Sequence, residues 1–152
     1  MSKLSDSWET PQTLFNELNQ EFNFDIDLCA TETNKKVEEF SHDIFIQPKS
    51  RLINGVKVCY TAGFMNPPYS NPKPYIKRAL EISQEFTVVC LVKADPSTSW
   101  WGLFWDYTNH KPINGVEVRF LPRRIKFDPP KGFTGVATAS AFPSAIVIMR
   151  KS

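Results

Sequence analysis

Apolar and polar positions along the chain alternate with periods that switch repeatedly between helical and strand spacing. After Thr10-Pro11, which reads as a threonine cap with proline at the first helical position, Leu14, Phe15, Leu18 and Phe22 recur at helical spacing. Phe24-Asp25-Ile26-Asp27-Leu28 then alternates with period two, as a strand ending in Cys29-Ala30-Thr31. A polar stretch over 31–42, with helical turns, leads to Ile44-Phe45-Ile46. The runs "GVKVCY" (55–60) and "GFM" (63–65) read as short strands before a proline corner.

The second half continues the alternation. An amphipathic helix is predicted over about 73–86, with Tyr75, Ile76, Ala79, Leu80 and Ile82 on or near its buried side. "FTVVCLV" (86–92) is apolar on both faces, as a central parallel strand requires. "PSTSWWGLFWDY" (96–107) reads as a capped, aromatic-rich helix, and "VEVRFLPRRIKF" (116–127) as two strands joined by a tight Leu121-Pro122 turn. "AIVIM" (145–149) is a final strand. Strand–helix alternation followed by a late hairpin predicts an α/β three-layer fold, its sheet mostly parallel with an antiparallel edge from the C-terminal part. With 152 residues and no internal repeat or linker, residues 1–152 are expected to form a single domain.

Composition narrows the function classes. Hydrophobic residues are 41% and charged residues 22%, ordinary for a globular chain. No apolar run reaches membrane-spanning length and the polar start lacks a signal-peptide pattern, so a soluble, cytoplasmic protein is expected, with no membrane partner. Cys29, Cys59 and Cys90 form no C-x-x-C pair, and with only His42 and His110 besides no metal-ligand spacing exists, so no metal is expected. A net charge of +2 selects no partner. Local clusters say more: Arg119, Arg123, Arg124 and Lys126 lie in "RFLPRRIKF", and Lys73, Lys77 and Arg78 in "NPKPYIKRAL". These either meet phosphates or form solvated faces of a strand and a helix.

The corner Phe64-Met65-Asn66-Pro67-Pro68-Tyr69 carries the chemistry. Two prolines remove two donors and stop any strand, and the first holds Asn66 extended. Asp128-Pro129-Pro130-Lys131 has nearly the same form without the aromatic, and reads with Gly132 as an ordinary turn. At the first corner the Asn66 side-chain oxygen and the Pro67 carbonyl are two acceptors for both hydrogens of an exocyclic amine. Such an amine is a poor nucleophile because its lone pair is delocalised into the ring. Two acceptors favour a pyramidal nitrogen, Pro68 stiffens the corner, and Tyr69 can stack on the base and hold it out of a duplex. Positioning and hydrogen bonding then supply most of the catalysis.

"NPPY" is the signature of amino-directed, S-adenosylmethionine-dependent methyltransferases, and the wider pattern resembles the small phage-type DNA N6-adenine methyltransferases. The resemblance rests on "WETP" (8–11), "FDIDLCAT" (24–31) with Asn34, "FMNPPYS" (64–70), "TVVCLVKADPSTSWW" (87–101), "VRFLPRRIKF" (118–127) and "FPSAIVIM" (142–149), in the family's order over nearly the whole chain. It implies a Rossmann-like class I methyltransferase fold. It also implies methyl transfer to adenine in DNA and a donor pocket built from the Thr10-Pro11 corner and the end of the "DIDLCAT" strand. Asp27, Cys29, Ala30 and Asn34 would line that pocket, with Asn66 facing it. Trp8 either packs on the donor or staples the first helix, and Asp43 stands where an acidic residue meets the donor's adenosine or the loop near it. The glycine-rich donor loop of the wider superfamily is replaced by "DLCAT", a departure shared by the phage-type family. Protection from host restriction is the role such an enzyme suggests.

Lys73, Arg123, Arg124 and Lys126 are the candidate DNA contacts. Trp100, Trp101, Phe104 and Trp105 either stack on unpaired bases or fill the core. Two other readings keep the fold: a methyltransferase acting on RNA bases or a protein amide, and a non-catalytic DNA-binding or decoy protein. With few residues beyond a core domain, low sequence selectivity is expected.

Overall fold

The computed structural model describes residues 9–46, 50–130, 132 and 143–152. Helix α1 (Gln12–Phe22) buries Phe15 and Leu18, the apolar stripe its spacing requires. Thr10 is buried but makes no capping hydrogen bond, contrary to the expected N-cap; the first helical bond runs from the Phe15 N–H to the Pro11 carbonyl. Asn23 ends the helix in the left-handed conformation (φ 53°) and donates its N–H to Asn19 O, a C-terminal device that asparagine tolerates.

Strand β1 is short (Ile26–Asp27). The chain then turns through a loop and a single 3₁₀ turn (Ile44–Ile46). Strands β2 (Ser50–Ile53) and β3 (Val56–Cys59) form an antiparallel hairpin whose turn, Asn54-Gly55, has positive φ at both residues. This Asn-Gly turn chemistry is a strong hairpin signal, yet the sequence reading assigned a strand only to its second arm. Strand β4 (Ala62–Met65) is buried throughout. A Cβ on Gly63 would lie 2.8 Å from Leu28 Cδ1 and 3.1 Å from a Phe86 ring carbon, so glycine lets both side chains close over the strand.

Helix α2 (Lys73–Ile82) buries Ile76, Ala79 and Ile82. It stops short of residue 86 where Ser83 Oγ donates to the Leu80 carbonyl, and a turn over 83–85 leads into β5 (Thr87–Lys93). Beyond β5 the expected helix over 96–107 does not form. Residues 101–103 make one 3₁₀ turn, followed by a small hairpin of β6 (Trp105–Asp106) and β7 (Lys111–Pro112). The backbone here closes at i→i+3 (Trp101 to Thr98, Leu103 to Trp100, Phe104 to Trp101), and the Phe104 carbonyl is taken by the Ile113 N–H, so no α-helical ladder propagates. Asp95 Oδ1 accepts from the Ser97 N–H and hydroxyl, and Asp106 Oδ1 from the Thr108 and Asn109 N–H groups.

Strand β8 (Val116–Phe120) is followed by irregular chain, and not by the expected partner strand across Leu121-Pro122. Its partner is β9 (Ser144–Met149), whose six residues are all buried and offer far more apolar area than "RRIKF". The sheet order is β1-β4-β5-β9-β8. Pairings β1–β4 and β4–β5 are parallel, while β5–β9 and β9–β8 are antiparallel. The antiparallel C-terminal pair is present with β9 inside the sheet and β8 at its edge.

One apolar cluster joins Ile26, Leu28, Met65, Val88, Cys90 and Val92 to α2 and the tryptophans. The other joins Phe64, Val89 and Leu91 to Phe15 and Leu18 of α1 and to Phe127. Alternate residues of β4 and β5 thus serve opposite faces, as period two dictates. Among the described residues no helix is long and apolar enough to cross a membrane.

Candidate active site at the carboxyl ends of the parallel strands

Strands β1 and β4 are hydrogen-bonded neighbours, with Asp27 opposite Phe64, and the Leu28 N–H donates to the Phe64 carbonyl at 2.8 Å. Both sequence motifs therefore leave the sheet at the same carboxyl edge, side by side, where ligands of such sheets bind.

The loop after β1 is organised around Asp27. Its side chain is 3% exposed, and its two oxygens accept from the Cys29 N–H (3.4 Å) and the Lys36 N–H (2.9 Å). Burial pushes its carboxyl pKa up to about 6, against the pull of those bonds and of Lys36. Ala30 is buried and donates its N–H to Ser41 O, and Cys29 is half-buried against the α2-side core. Asn34 Oδ1 accepts from the Thr31 N–H at 2.7 Å, closing its own turn. Asp43 is exposed and caps the following 3₁₀ turn through the Phe45 N–H. Asp27, Asn34 and Asp43 thus each spend side-chain acceptors on the backbone of this loop.

Lys36, which the sequence reading passed over, ties the N-terminal segment to this loop. Its side chain is 9% exposed, its Nζ donates to Gln12 Oε1 at 3.1 Å, and it lies 3.9 Å from Glu9 Oε1. Glu9 in turn exchanges two backbone hydrogen bonds with Asp128 (2.7 and 2.9 Å). Thr10 and Pro11 are therefore brought to the Asp27 loop, through a lysine that has no motif of its own. Trp8 lies outside the described residues.

The proline corner leaves β4 directly. Asn66 Oδ1 is shielded from solvent and accepts no hydrogen bond from any described residue. A buried acceptor without a partner costs about 1–3 kcal/mol, so its retention points to a donor that comes from outside the chain. Pro67 is buried, and Pro68 and Tyr69 are half-buried. Burial raises the Tyr69 phenol above its ordinary range, and its ring meets the Phe127 ring edge to face at 5.5 Å.

Beside the corner lies a cleft of about 180 Å³, walled by Pro67, Tyr69, Pro72, Val92, Lys93, Thr98 and Trp100. It opens at the carboxyl end of β5, next to that of β4. Asn66 and Pro68 are not among its wall residues. Lys93 stands 3.5 Å from Asp95. Lys93, Thr98 and Trp100 were not singled out by the sequence as cleft residues; the signal was their place in "KADPSTSWW" after an apolar central strand. Of the four aromatics weighed between stacking and core, Trp101 and Phe104 are core, Trp105 is half-buried against it, and Trp100, 8% exposed, belongs to the core and also forms cleft wall.

Arg123, Arg124 and Lys126 are exposed on the chain after β8, and Lys73 is exposed at the first turn of α2. Leu121, Ile125 and Phe127 anchor the basic stretch on the α1-side core, and Phe127 carries it to Tyr69. The second proline corner does structural work of its own: Asp128 bridges Glu9 through its backbone while its side chain is exposed. No group of three or more His, Cys, Asp or Glu among the described residues could hold a metal ion.

The sequence matches the family model "DNA N-6-adenine-methyltransferase (Dam)" over residues 1–152. A DNA N-6-adenine-methyltransferase of Haemophilus phage HP1 is 39% identical over 105 residues, covering 64% of this chain and 56% of the relative. One of Escherichia phage T1 is 31% identical over 101 residues, covering 63% of this chain and 39% of that relative. The chain thus spans about half or less of the relatives it matches. A Thermoplasma acidophilum structure described as a candidate methyltransferase is similar over 93% of this chain and 64% of its own, at 13% identity and a TM-score of 0.46. With the family model matched from the first residue to the last, and "NPPY" standing at the carboxyl end of β4, the chain belongs to the DNA N-6-adenine-methyltransferase (Dam) family.

Proposed function

We propose that the chain transfers a methyl group from S-adenosylmethionine to the exocyclic N6 amine of adenine in DNA, as a single Rossmann-like class I domain with helices on both faces of its sheet. The observation that carries this reading is the unpartnered Asn66 oxygen in the Asn66-Pro67-Pro68-Tyr69 corner beside a cleft walled by Pro67 and Tyr69.

The site suits a cationic, donor-bearing methyl donor. An orphaned acceptor at Asn66 and a buried carboxylate at Asp27 flank the same edge of the sheet. Thr10, Pro11, Asp27, Cys29, Ala30 and Asn34 would hold the donor, through loop backbone more than through the Asp27 and Asn34 side chains, which are already engaged. When bound, S-adenosylmethionine supplies an electrophilic methyl on a positively charged sulfur.

The chain's own residues do the rest. Asn66 Oδ1 and the Pro67 carbonyl accept the two amine hydrogens and draw the nitrogen lone pair out of conjugation. Pro67 and Pro68 fix that pair of acceptors in advance, so little reorganisation accompanies the reaction. Tyr69 stacks on the extruded adenine, braced by Phe127. Arg123, Arg124, Lys126 and Lys73 meet phosphates of the bound DNA.

The test is incubation of unmethylated DNA with the protein and S-adenosylmethionine, followed by base analysis and sequencing. N6-methyladenine in the product is the expected result. An unmodified product from a protein that binds the donor and DNA overturns the catalytic reading.

A further inference from the structure

Phe120 is an apolar side chain set where no core requires it. It ends the edge strand β8 in register with Ala145, and the next N–H, that of Leu121, donates to Ser144 O; Ser144 is also the register partner of Lys93, a wall residue of the cleft. Phe120 therefore sits at the same carboxyl edge, two strand spacings, or about 10 Å, from Lys93. Its side chain is 59% exposed.

Isolated exposed apolar residues are common and need no account; this one is not isolated. Its ring stacks on Trp101 with centroids 6.1 Å apart and planes 23° apart, and Trp101 is 5.9 Å from Trp100, which walls the cleft. Three rings thus lead from the cleft to the surface, and Phe120 is the one whose face is open. Arg123 and Arg124 follow it by three and four residues, both exposed. An open aromatic face followed in the chain by exposed arginines is the combination that binds unpaired bases on a charged backbone.

We infer that Phe120 stacks on a DNA base near the adenine held at the cleft, and so steadies the strand around the extruded base. At about 3.4 Å per nucleotide along a strand, the two ring-to-ring steps place the contact within about three nucleotides of the target. The inference rests on the proposed action on DNA and adds a positioning residue for the strand around the base. Trp101 backs the ring and limits its motion, so stacking costs little ordering.

The test uses the full chain and a duplex with one adenine opposite an abasic site, and 2-aminopurine at each of the three positions on either side in turn. Extrusion of the adenine unstacks its neighbours and brightens 2-aminopurine beside it, and with the parent protein the one flanking position that Phe120 covers is expected to stay quenched. Phe120→Leu keeps apolar packing on Trp101 but removes the π-face. It should brighten that position and weaken duplex binding by about tenfold or more. Phe120→Tyr should restore both, and thermal unfolding of all three proteins should agree within a few degrees. A leucine variant that quenches and binds like the parent overturns the inference and leaves the adenine-methylation reading standing. A parent protein that binds no DNA overturns both together.

Discussion

The ring of Tyr69 meets the ring of Phe127 edge to face, with centroids 5.5 Å apart and planes at 86°. This contact joins the proline corner after β4 to the basic stretch after β8, across 58 positions of sequence. Phe127 is 5% exposed and packs with Phe15, Phe64 and Leu91, so the contact is anchored in the core. Phe127→Leu keeps the burial and loses the ring pair, at about 1 kcal/mol of stability. DNA affinity should fall while donor binding stays at the parent level, measured by titrations of each ligand. Unchanged DNA affinity would mean that the corner and the basic stretch act independently.

Arg123 and Arg124 are exposed, and no described residue pairs with either in an ion pair. Removing both should weaken binding across all sequences and reduce the slope of log K against log salt by about 2, at roughly 0.9 per phosphate contact. An unchanged slope would make them ordinary surface charge.

The two proline corners make a controlled comparison. Asn66→Ala should lower turnover by about two to three orders of magnitude with donor binding nearly unchanged. Tyr69→Phe keeps the ring and its contact with Phe127, and should retain most activity. Tyr69→Ala should cost about 1–3 kcal/mol of base stacking. Asp128→Ala leaves the backbone bridge to Glu9 intact, so its turnover should stay within a few-fold of the parent. Equal losses at Asn66 and Asp128 would reduce the first corner to a structural turn.

Asp27 should leave a signature in stability against pH. Its folded pKa, raised to about 6 by burial, lies above the ordinary value near 4, so between those values the folded state holds the proton and the unfolded state does not. Stability at this site therefore falls as pH rises from about 4 to about 6, by up to ~3 kcal/mol, and levels off above. Denaturant titrations of the parent and Asp27→Asn across that window measure it. The difference between the two should change with pH in that direction; a flat difference would place the carboxylate in a better solvated site.

Lys36 ties the N-terminal segment to the Asp27 loop, so among the ligands its loss should be felt by the proposed donor and not by DNA. Lys36→Met keeps the stem and removes the ammonium from Gln12 and Glu9. About 1–3 kcal/mol of stability should be lost, together with donor affinity, while the DNA salt slope stays that of the parent. Calorimetric donor titration and a salt series check the pair of outcomes.

The legibility of this chain follows the range of the interactions involved. Elements whose residues carry their own period were readable: α1 from Leu14, Phe15, Leu18 and Phe22, β5 from an unbroken apolar run, and the proline corner from a local steric rule. The expected helix over 96–107 gives way to i→i+3 turns and a small hairpin, in which the Ile113 N–H takes the Phe104 carbonyl that a helix would have used, a partner the aromatic pattern does not reveal. The expected hairpin over 116–127 failed for a non-local reason. β8 had two available partners, and only the assembled sheet offers it β9, fully buried and arriving from the end of the chain. The site divides in the same way. Asn66, Pro67 and Tyr69 were set by residue type and order. The gathering of Lys93, Trp100 and Phe120 depends on which strand ends share an edge, which register and burial across the sheet decide, and the place of Lys36 depends on a loop folded around Asp27.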